Sequence, residues 1–360
     1  MKIILDAFGG DHAPLSVLQG AEMAVKEYGV TIVLAGDETK IRECAAQNGI
    51  SLAGMELLQA DDVMSMHDDP SEIVKSKKNS SMAVGMKALA DGAGDAFVSA
   101  GSTGALVVGG SLIVKRIKGV KRVALASIIP GKNRNFLMLD IGANADCRPE
   151  MLCQFGIMGS TYMERVEGRE RPTVGLLNIG TEETKGGELQ KQSYALLSQA
   201  PVHFIGNVES REIPTGDVDV VVADGFTGNI ALKLIEGVSA TMFSMIKGVL
   251  KKSIFTKLAA LMLKSGLYEI KSKSDYTEIG GAPLLGTRLP VIKAHGSSNG
   301  YAIKNAVGKA ISFSEKGVIG KISGDLAALT QTAEKADNQA DETAANEIQS
   351  SGECNEKIRR

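Results

Sequence analysis

Short runs of aliphatic and β-branched residues alternate with longer amphipathic stretches along most of the chain. The short runs predict strands at residues 3–7, 31–35, 95–99, 123–128, 136–140, 173–177, 203–206 and 218–223. The longer stretches predict helices at residues 14–27, 38–47, 104–118, 149–166, 187–198 and 229–249. Strands that alternate with helices are typical of an α/β protein with a largely parallel sheet, in which ligands bind beyond the carboxyl ends of the strands.

The pattern changes in two places. From about residue 238 to 273 the chain is rich in Lys, Leu and Met and lacks a strand pattern. From residue 334 to 360, polar residues and Ala replace the larger aliphatic residues, which predicts a polar, disordered tail. We therefore expect one α/β domain over residues 1–333, with a protruding amphipathic helical segment at about 238–273, followed by the tail.

Composition limits the class of protein. The chain has 44% hydrophobic and 23% charged residues, a net charge of −2 and no Trp, which argues against a nucleic-acid partner. Residues 96–114 carry no charge, but their many Gly, Ser and Thr residues predict a buried strand, a turn and a helix instead of a membrane span. The first residues are too short an apolar run for a secretory signal, so we expect a soluble, cytoplasmic chain.

The first candidate motif is DAFGGDHAP at residues 6–14. Its two glycines permit a sharp turn, after which Asp11 or His12 could project over the sheet edge. Alternatively, Asp11 caps the helix that begins near Pro14.

The second motif is SAGSTGA at residues 99–105, where a strand meets a helix start. The free amides there, with the hydroxyls of Ser102 and Thr103 and the backbone of Gly104, suit an anion or an oxyanion. A purely structural turn is the alternative.

Two further motifs follow the next strands. NIGTEETKGG at residues 178–187 carries Lys185, which could reach a phosphate or remain a solvated loop lysine. VADGFTGN at residues 222–229 carries Asp224, Gly225 and Asn229. Asp224 could simply cap the following helix, while Asn229 could donate to a substrate oxygen.

The fifth motif, at residues 280–299, ends in KAHGSSN. His295, Ser297 and Ser298 meet a helix start with Lys293 beside them, which is suitable chemistry for a phosphate. A structural role for the histidine is the alternative. No metal site and no cofactor are expected, because the four histidines lack ligand spacing and neither a dinucleotide fingerprint nor a P-loop occurs.

Two surface features predict partners. Five cations within eight residues, at Lys115, Arg116, Lys118, Lys121 and Arg122, exceed what a helix dipole requires and favour an acidic partner. Residues 254–264 read as a short amphipathic helix with cationic flanks. Its apolar face, which suits the protein core, a dimer or a membrane surface, consists of Ile254, Phe255, Leu258, Leu261 and Met262.

Taken together, the motifs resemble one family. DAFGGDHAP, SAGSTGAL, LDIGAN (which contains Asn144), NIGTEETKG, VADGFTGN and GGAPLLG…HGSSN occur in the order found in bacterial PlsX, the phosphate acyltransferases. The resemblance covers residues 1 to about 330. It implies a Rossmann-like αβα sandwich, similar to the phosphotransacetylase and isocitrate/isopropylmalate dehydrogenase folds.

The resemblance also implies an activity. In this family a long-chain acyl group passes reversibly from acyl-acyl carrier protein to inorganic phosphate. The acyl-phosphate then goes to a membrane enzyme that acylates glycerol 3-phosphate in phospholipid synthesis. A homodimer that associates peripherally with membranes is expected, with acidic acyl carrier protein on the basic residues at 115–122.

We expect phosphate to be bound by His295, Ser297, Ser298 and Lys185. Asp224 would orient Lys185 or a catalytic hydroxyl. Asn229, or the amides at residues 102–104, would stabilise the oxyanion. The expected substrate-binding residues are Gly10, Asp11, Ser102, Thr103, Gly104, Asn144, Gly225, Ser297 and Ser298. The alternatives are a short-chain phosphotransacetylase that uses coenzyme A thioesters, and a non-catalytic membrane adaptor that binds acyl carrier protein.

Overall fold

The computed structural model describes residues 1–266 and 280–329. The predicted tail and the end of the segment at 238–273 lie outside these residues. The described strands are β1 (Lys2–Asp6), β2 (Thr31–Gly36), β3 (Met55–Gln59), β4 (Ala96–Ser99), β5 (Ala124–Ile129), β6 (Phe136–Leu139), β7 (Thr173–Asn178), β8 (His203–Glu209), β9 (Val220–Val222), β10 (Ala282–Leu285) and β11 (Val291–Lys293).

The described helices lie between and after these strands. They are α1 (Leu15–Tyr28), α2 (Glu38–Asn48), α3 (Ser81–Ala90), α4 (Thr103–Gly109), α5 (Pro149–Arg165), α6 (Glu188–Gln199), α7 (Gly225–Lys251), α8 (Ile254–Met262), α9 (Gly300–Glu315) and α10 (residues 318–329). A π-helical turn, Gly110–Lys115, continues α4. The eight predicted strands and six predicted helices are confirmed, with shifts of a few residues at their ends.

The pattern of apolar residues missed β3, β10, β11, α3 and α10, and of α9 only the start was predicted. The side chains of β3 are all exposed or half-buried, and the sequence MELLQ shows no regular alternation. β11 has only three residues, which is too short to display a period. These elements are defined by their neighbours in the sheet more than by their own sequence.

All described strands form one sheet in the order β3-β2-β1-β4-β11-β10-β5-β6-β9-β7-β8. The strands from β3 to β11 are mutually parallel, and so are those from β6 to β8. Between the two groups lie three antiparallel pairings: β11 with β10, β10 with β5, and β5 with β6. Because three reversals is an odd number, the two parallel groups have their carboxyl ends at opposite edges of the sheet.

The core consists of one apolar layer on each face of the sheet. Ile3 and Leu5 face one layer and Ile4 faces the other, as the period of two in a strand requires. Helices α1, α5 and α9 cover the first face, and α3, α4 and the start of α7 cover the second. This is the αβα arrangement expected from the sequence.

The uncharged stretch at residues 96–114 forms β4, a turn and α4, as predicted. Among the described residues, one helix is long and apolar enough to cross a membrane, namely α7. Beyond the part of α7 that packs on the sheet, most of its large apolar side chains are exposed, and so are those of α8. The exposed apolar residues of the two helices include Ile230, Leu234, Val238, Met242, Met245, Val249, Ile254, Phe255, Leu258, Leu261 and Met262.

Candidate functional site

The sequence motifs form two clusters at opposite edges of the sheet. The first cluster comprises the loops at residues 6–14, 99–105 and 293–299, which follow the neighbouring strands β1, β4 and β11. The second cluster comprises the loops at residues 139–144, 178–187 and 222–229, which follow β6, β7 and β9, also neighbours. Each cluster therefore combines segments that are far apart in sequence.

The three loops of the first cluster are in direct contact. The Asp11 amide donates to the Gly296 carbonyl at 2.8 Å, and the Ala294 amide donates to the Ser99 carbonyl at 2.9 Å. Gly10 has φ +100°, and a Cβ there would lie 2.9 Å from both the Gly296 carbonyl oxygen and the Ala100 Cβ. Only glycine permits this approach, so the motif at residues 6–14 is fitted against the other two loops.

A buried carboxylate lies beneath the first cluster. Asp6 is 2% exposed and accepts hydrogen bonds from the Ser81 and Ser99 hydroxyls, each at 2.6 Å, and from the Phe8 amide at 3.3 Å. Burial raises the pKa of Asp6, while the two hydroxyl donors act in the opposite direction. Asp6 thereby joins β1, β4 and α3.

The two helices that start at the first cluster differ in their caps. The Ser102 hydroxyl accepts from the Ala105 amide at 3.4 Å, so Ser102 caps α4 and places Thr103 and Gly104 in its first turn. Helix α1 begins after Pro14 without a side-chain cap. The interpretation of Asp11 as a helix cap is therefore wrong, and Asp11 faces the Gly296 loop instead.

The loop after β11 folds around its histidine. The Nδ1 atom of His295 lies 2.8 Å from the Ser297 hydroxyl and 3.3 Å from the Ser297 amide, which donates to it. Partial burial lowers the pKa of His295, and the ammonium groups of Lys233 and Lys293 lower it further. The ring is therefore neutral at neutral pH, and with Nδ1 accepting it carries its proton on Nε2 as a donor.

Helix α7 links the two clusters. It begins in the second cluster and carries Asn229, Lys233 and Glu236 at positions i, i+4 and i+7, which lie on one face of a helix. Lys233 and Glu236 pair at 2.7 Å, and both influence the pKa of His295 in the first cluster. The face that contains Asn229 therefore extends from the second cluster toward His295.

The second cluster is organised by Asp140, a fully buried carboxylate. It accepts from the Leu125, Gly142 and Ala143 amides at 3.0–3.1 Å, and from the Asn144 amide and side chain at 2.7 Å each. Burial raises the pKa of Asp140, whereas its hydrogen bonds act in the opposite direction. The Gly225 amide at the start of α7 donates to the Asn144 carbonyl at 2.8 Å, which holds the helix start on this loop.

Asp224 caps α7, which confirms one of its two interpretations from the sequence. Its carboxylate accepts from the Thr227 amide at 2.9 Å and from the Thr227 hydroxyl at 2.7 Å. The carboxylate thus orients the hydroxyl of Thr227, and these contacts do not involve Lys185. Asn229 follows one turn later, exposed and beside Gly142.

Lys185 does not lie with the residues around His295 that are expected to bind phosphate. It is exposed on the loop after β7, where the Asn178 side chain donates to its carbonyl at 3.1 Å. β7 lies five strand spacings from β11, about 24 Å at ~4.8 Å per strand, and runs in the opposite direction. The expectation of one phosphate shell that contains both residues is corrected, since sequence order does not show the reversal of the sheet.

The sequence did not predict several residues that shape these clusters. They are Asp6, Ser81 and Ser99 in the first cluster, Asp140 in the second, and Lys233 and Glu236 on α7. A signal was available for two of them, because Asp6 and Asp140 each end or follow a buried strand directly before a Gly-containing loop. Lys233 and Glu236 have no such signal, since only the path of α7 brings them near His295.

The predicted partner surfaces are both exposed. Lys115, Arg116 and Lys118, at the end of the π-helical turn, line an open cleft of about 420 Å³ together with Leu112, and Lys121 and Arg122 follow as exposed residues. Helix α8 begins with a Ser253 cap and presents the apolar side chains named above, of which Phe255 and Met262 are 81% and 82% exposed.

Comparison with known proteins shows the family of this chain. Residues 1–321 match the model of a family described as "Fatty acid synthesis protein". The chain is 47% identical over 329 residues to a phosphate acyltransferase of Alkaliphilus oremlandii, covering 91% of this chain and 98% of the relative. It is 49% identical over 320 residues to a phosphate acyltransferase of Brevibacillus brevis, covering 88% and 95%.

A solved structure has the same fold at low sequence identity. A phosphotransacetylase from Streptococcus pyogenes superposes with a TM-score of 0.58 at 15% identity, covering 89% of this chain and 94% of that protein. The sequence matches span nearly the whole of the relatives, and they include all six motifs of the two clusters. The chain therefore belongs to the phosphate acyltransferase family and is an acyltransferase of fatty acid and phospholipid synthesis.

Proposed function

We propose that the chain transfers a long-chain acyl group reversibly from acyl-acyl carrier protein to inorganic phosphate. The acyl-phosphate then serves a membrane enzyme that acylates glycerol 3-phosphate. The observation that carries this proposal is the first cluster, where a neutral His295, the Ser297 and Ser298 loop and the start of α4 meet beside Lys233 and Lys293. Donors and cations of this kind suit a phosphate dianion.

The reaction is a direct attack of phosphate on the thioester carbonyl. An oxygen of phosphate forms the new bond to the acyl carbon, and the carrier thiolate leaves with the electron pair of the broken C–S bond. Phosphate near neutral pH is already partly dianionic, so positioning contributes more than a strong base. His295 Nε2 and the loop at residues 296–298 would hold the phosphate.

The thioester lies, in this proposal, along the face of α7 that contains Asn229. The Asn229 amide would stabilise the oxyanion of the tetrahedral intermediate, with the amides at residues 102–104 as the alternative donors. The second cluster fixes this face through Asp140, Asn144 and Gly225. Lys185, on the same cluster, would contact the carrier side of the substrate and not the phosphate.

The basic residues at 115–122 would bind the acidic acyl carrier protein. Lys115 lies thirteen residues after the Ser102 cap of α4, a distance of about 20 Å at ~1.5 Å per helical residue. A carrier docked on these cations would deliver its thioester to the first cluster across this distance.

Donor preference tests the choice of carrier. Phosphate-dependent thiol release is expected to be faster from palmitoyl-acyl carrier protein than from palmitoyl- or acetyl-coenzyme A. Charge reversal by Lys115→Glu with Arg116→Glu is expected to raise KM for the carrier-bound donor by about tenfold or more, because charge complementarity is inverted. Lys191→Glu, on the exposed side of α6, is the control for added negative charge and is expected to leave that KM unchanged.

Equal rates with acetyl-coenzyme A would instead support a short-chain phosphotransacetylase, the reaction named for the structural neighbour. Carrier binding that survives the double charge reversal would contradict the assignment of the basic residues at 115–122.

The exposed apolar faces of α7 and α8 support a homodimer that associates peripherally with membranes from the cytoplasm. Leu258→Asp with Leu261→Asp is expected to abolish co-sedimentation with anionic lipid vesicles, because two buried leucines contribute about 3 kcal/mol or more to surface binding. Met66→Asp changes an equally exposed apolar residue outside these helices and should leave vesicle binding intact. Vesicle binding by the double variant would contradict the assignment of α8 to the membrane surface.

A further inference from the structure

Lys293, the last residue of β11, is a buried lysine at the centre of the first cluster. Its side chain is 8% exposed. The Nζ atom donates to the Ala100 carbonyl at 3.3 Å and also to the Ala294 carbonyl. It therefore joins the loop at residues 99–105 to the loop at residues 293–299.

The charges around Lys293 do not neutralise it by direct contact. Asp6 on β1 and Asp11 on the β1–α1 loop favour its charged form, and Lys233 on α7 opposes it. The Asp6 carboxylate is itself occupied by the hydroxyls of Ser81 and Ser99. The hydrogen bonds of Nζ go to two neutral carbonyls, so they do not neutralise its positive charge. This charge lies below the loop that carries His295 and Ser297. A buried charge of this kind is costly unless an anion compensates it.

We propose that Lys293 is a positioning residue of phosphate binding. It fixes the two loops against each other and supplies a buried positive charge. A bound phosphate dianion compensates this charge, which strengthens the binding of phosphate. The inference rests on the proposed function, since it assigns a role to Lys293 within the phosphate site.

The pH dependence of this role has a definite sign. Burial lowers the pKa of Lys293 to about 8, so its charge is present below that pH and is lost as pH rises through it. The pKa of His295 is lowered as well, so the ring is already neutral in this range. Phosphate passes from partly to almost wholly dianionic as the pH approaches ~8, which by itself would favour binding. Affinity for the phosphate dianion should nevertheless weaken above pH ~8 because Lys293 loses its proton.

The test compares Lys293→Met and Lys293→Gln with the wild type. Here KM refers to the phosphate dianion, calculated from the fraction of total phosphate in that form at each pH. In the wild type, this KM is expected to increase between about pH 7 and 9 while kcat changes little. In both variants KM is expected to be about tenfold higher or more at pH 7 and nearly independent of pH, since a hydrogen-bonded charge is lost. Gln keeps a donor for the carbonyls, which protects the test if Met destabilises the loops.

Lys304→Met is the matched control. Lys304 is also buried, at 7% exposure, but it pairs with Glu27 at 3.0 Å between α9 and α1. Its replacement is expected to lower Tm without altering the pH profile of KM for phosphate. A merely structural role for Lys293 would give the same result as this control.

Two outcomes separate the claims. A wild type that shows phosphate-dependent thiol release with a KM independent of pH, or a folded Lys293→Gln variant with the wild-type profile, would overturn the role of Lys293 alone. A folded wild type without any phosphate-dependent release would overturn the proposed function and this inference with it.

Discussion

Replacing Gly228 with Ala is expected to displace the start of α7 from the second cluster and to abolish phosphate-dependent turnover. A Cβ at this position would overlap the Asp140 carbonyl oxygen and lie 3.0 Å from the carbonyl carbon. Both are backbone atoms of a loop that five hydrogen bonds to the Asp140 carboxylate hold in place, so the loop has little freedom to move. We expect a loss of about 3 kcal/mol or more in the free energy of unfolding, measured by denaturant titration.

Gly237→Ala on the same helix is the control for Gly228→Ala. Nothing lies within 4 Å of a Cβ at Gly237, and Ala has the higher helix propensity. This variant is expected to keep its activity and to gain up to about 1 kcal/mol. If Gly228→Ala instead behaves like Gly237→Ala, the close contact between α7 and the Asp140 loop does not exist in solution.

Replacing Asn229 with Ala is expected to lower kcat by about a hundredfold or more, the usual effect of removing one oxyanion donor. Asn229 is exposed on the α7 face that reaches His295, so its loss removes a donor without disturbing the core. KM for phosphate should change little, because phosphate is held by the first cluster. Steady-state kinetics on a variant of unchanged Tm separate these two parameters.

Two further variants define the role of Asn229. Asn229→Asp keeps the shape but cannot donate from an ionised carboxylate, and should be as impaired as Asn229→Ala. Ser244→Ala, at an exposed position farther along α7, should have wild-type kinetics. A folded Asn229→Ala variant with a kcat near the wild-type value would assign the oxyanion to the amides at residues 102–104.

The local features of the fold were predictable from the sequence because their signals are local. β1, β2 and β6 are recognisable from runs such as KIILD, TIVLAG and FLML, and α1 and α5 from their apolar periodicity. Asp224 was recognisable as a helix cap because it directly precedes a helical stretch. The family was predictable because six of its motifs occur in the same order along this chain.

The separation of the motifs into two clusters was not predictable in the same way. It depends on the antiparallel strands β10 and β5, which reverse the sheet between β11 and β6. β10 has only four residues and was missed, so Lys185 was assigned to the wrong side of the sheet. Lys233 was missed for a related reason, since its approach to His295 follows from the path of α7 and not from any local pattern.

The proposed reaction is tested most directly by enzyme-dependent thiol release from palmitoyl-acyl carrier protein, with and without phosphate. Hydroxylamine traps acyl-phosphate as a hydroxamate, and reactions without enzyme are subtracted because hydroxylamine also attacks the thioester directly. Enzyme-dependent release is expected to require phosphate, with one hydroxamate formed for each thiol. Release without phosphate would indicate a thioesterase and contradict the proposed attack by phosphate. Carrier protein that binds with its thioester intact would contradict catalysis from this donor and favour an adaptor.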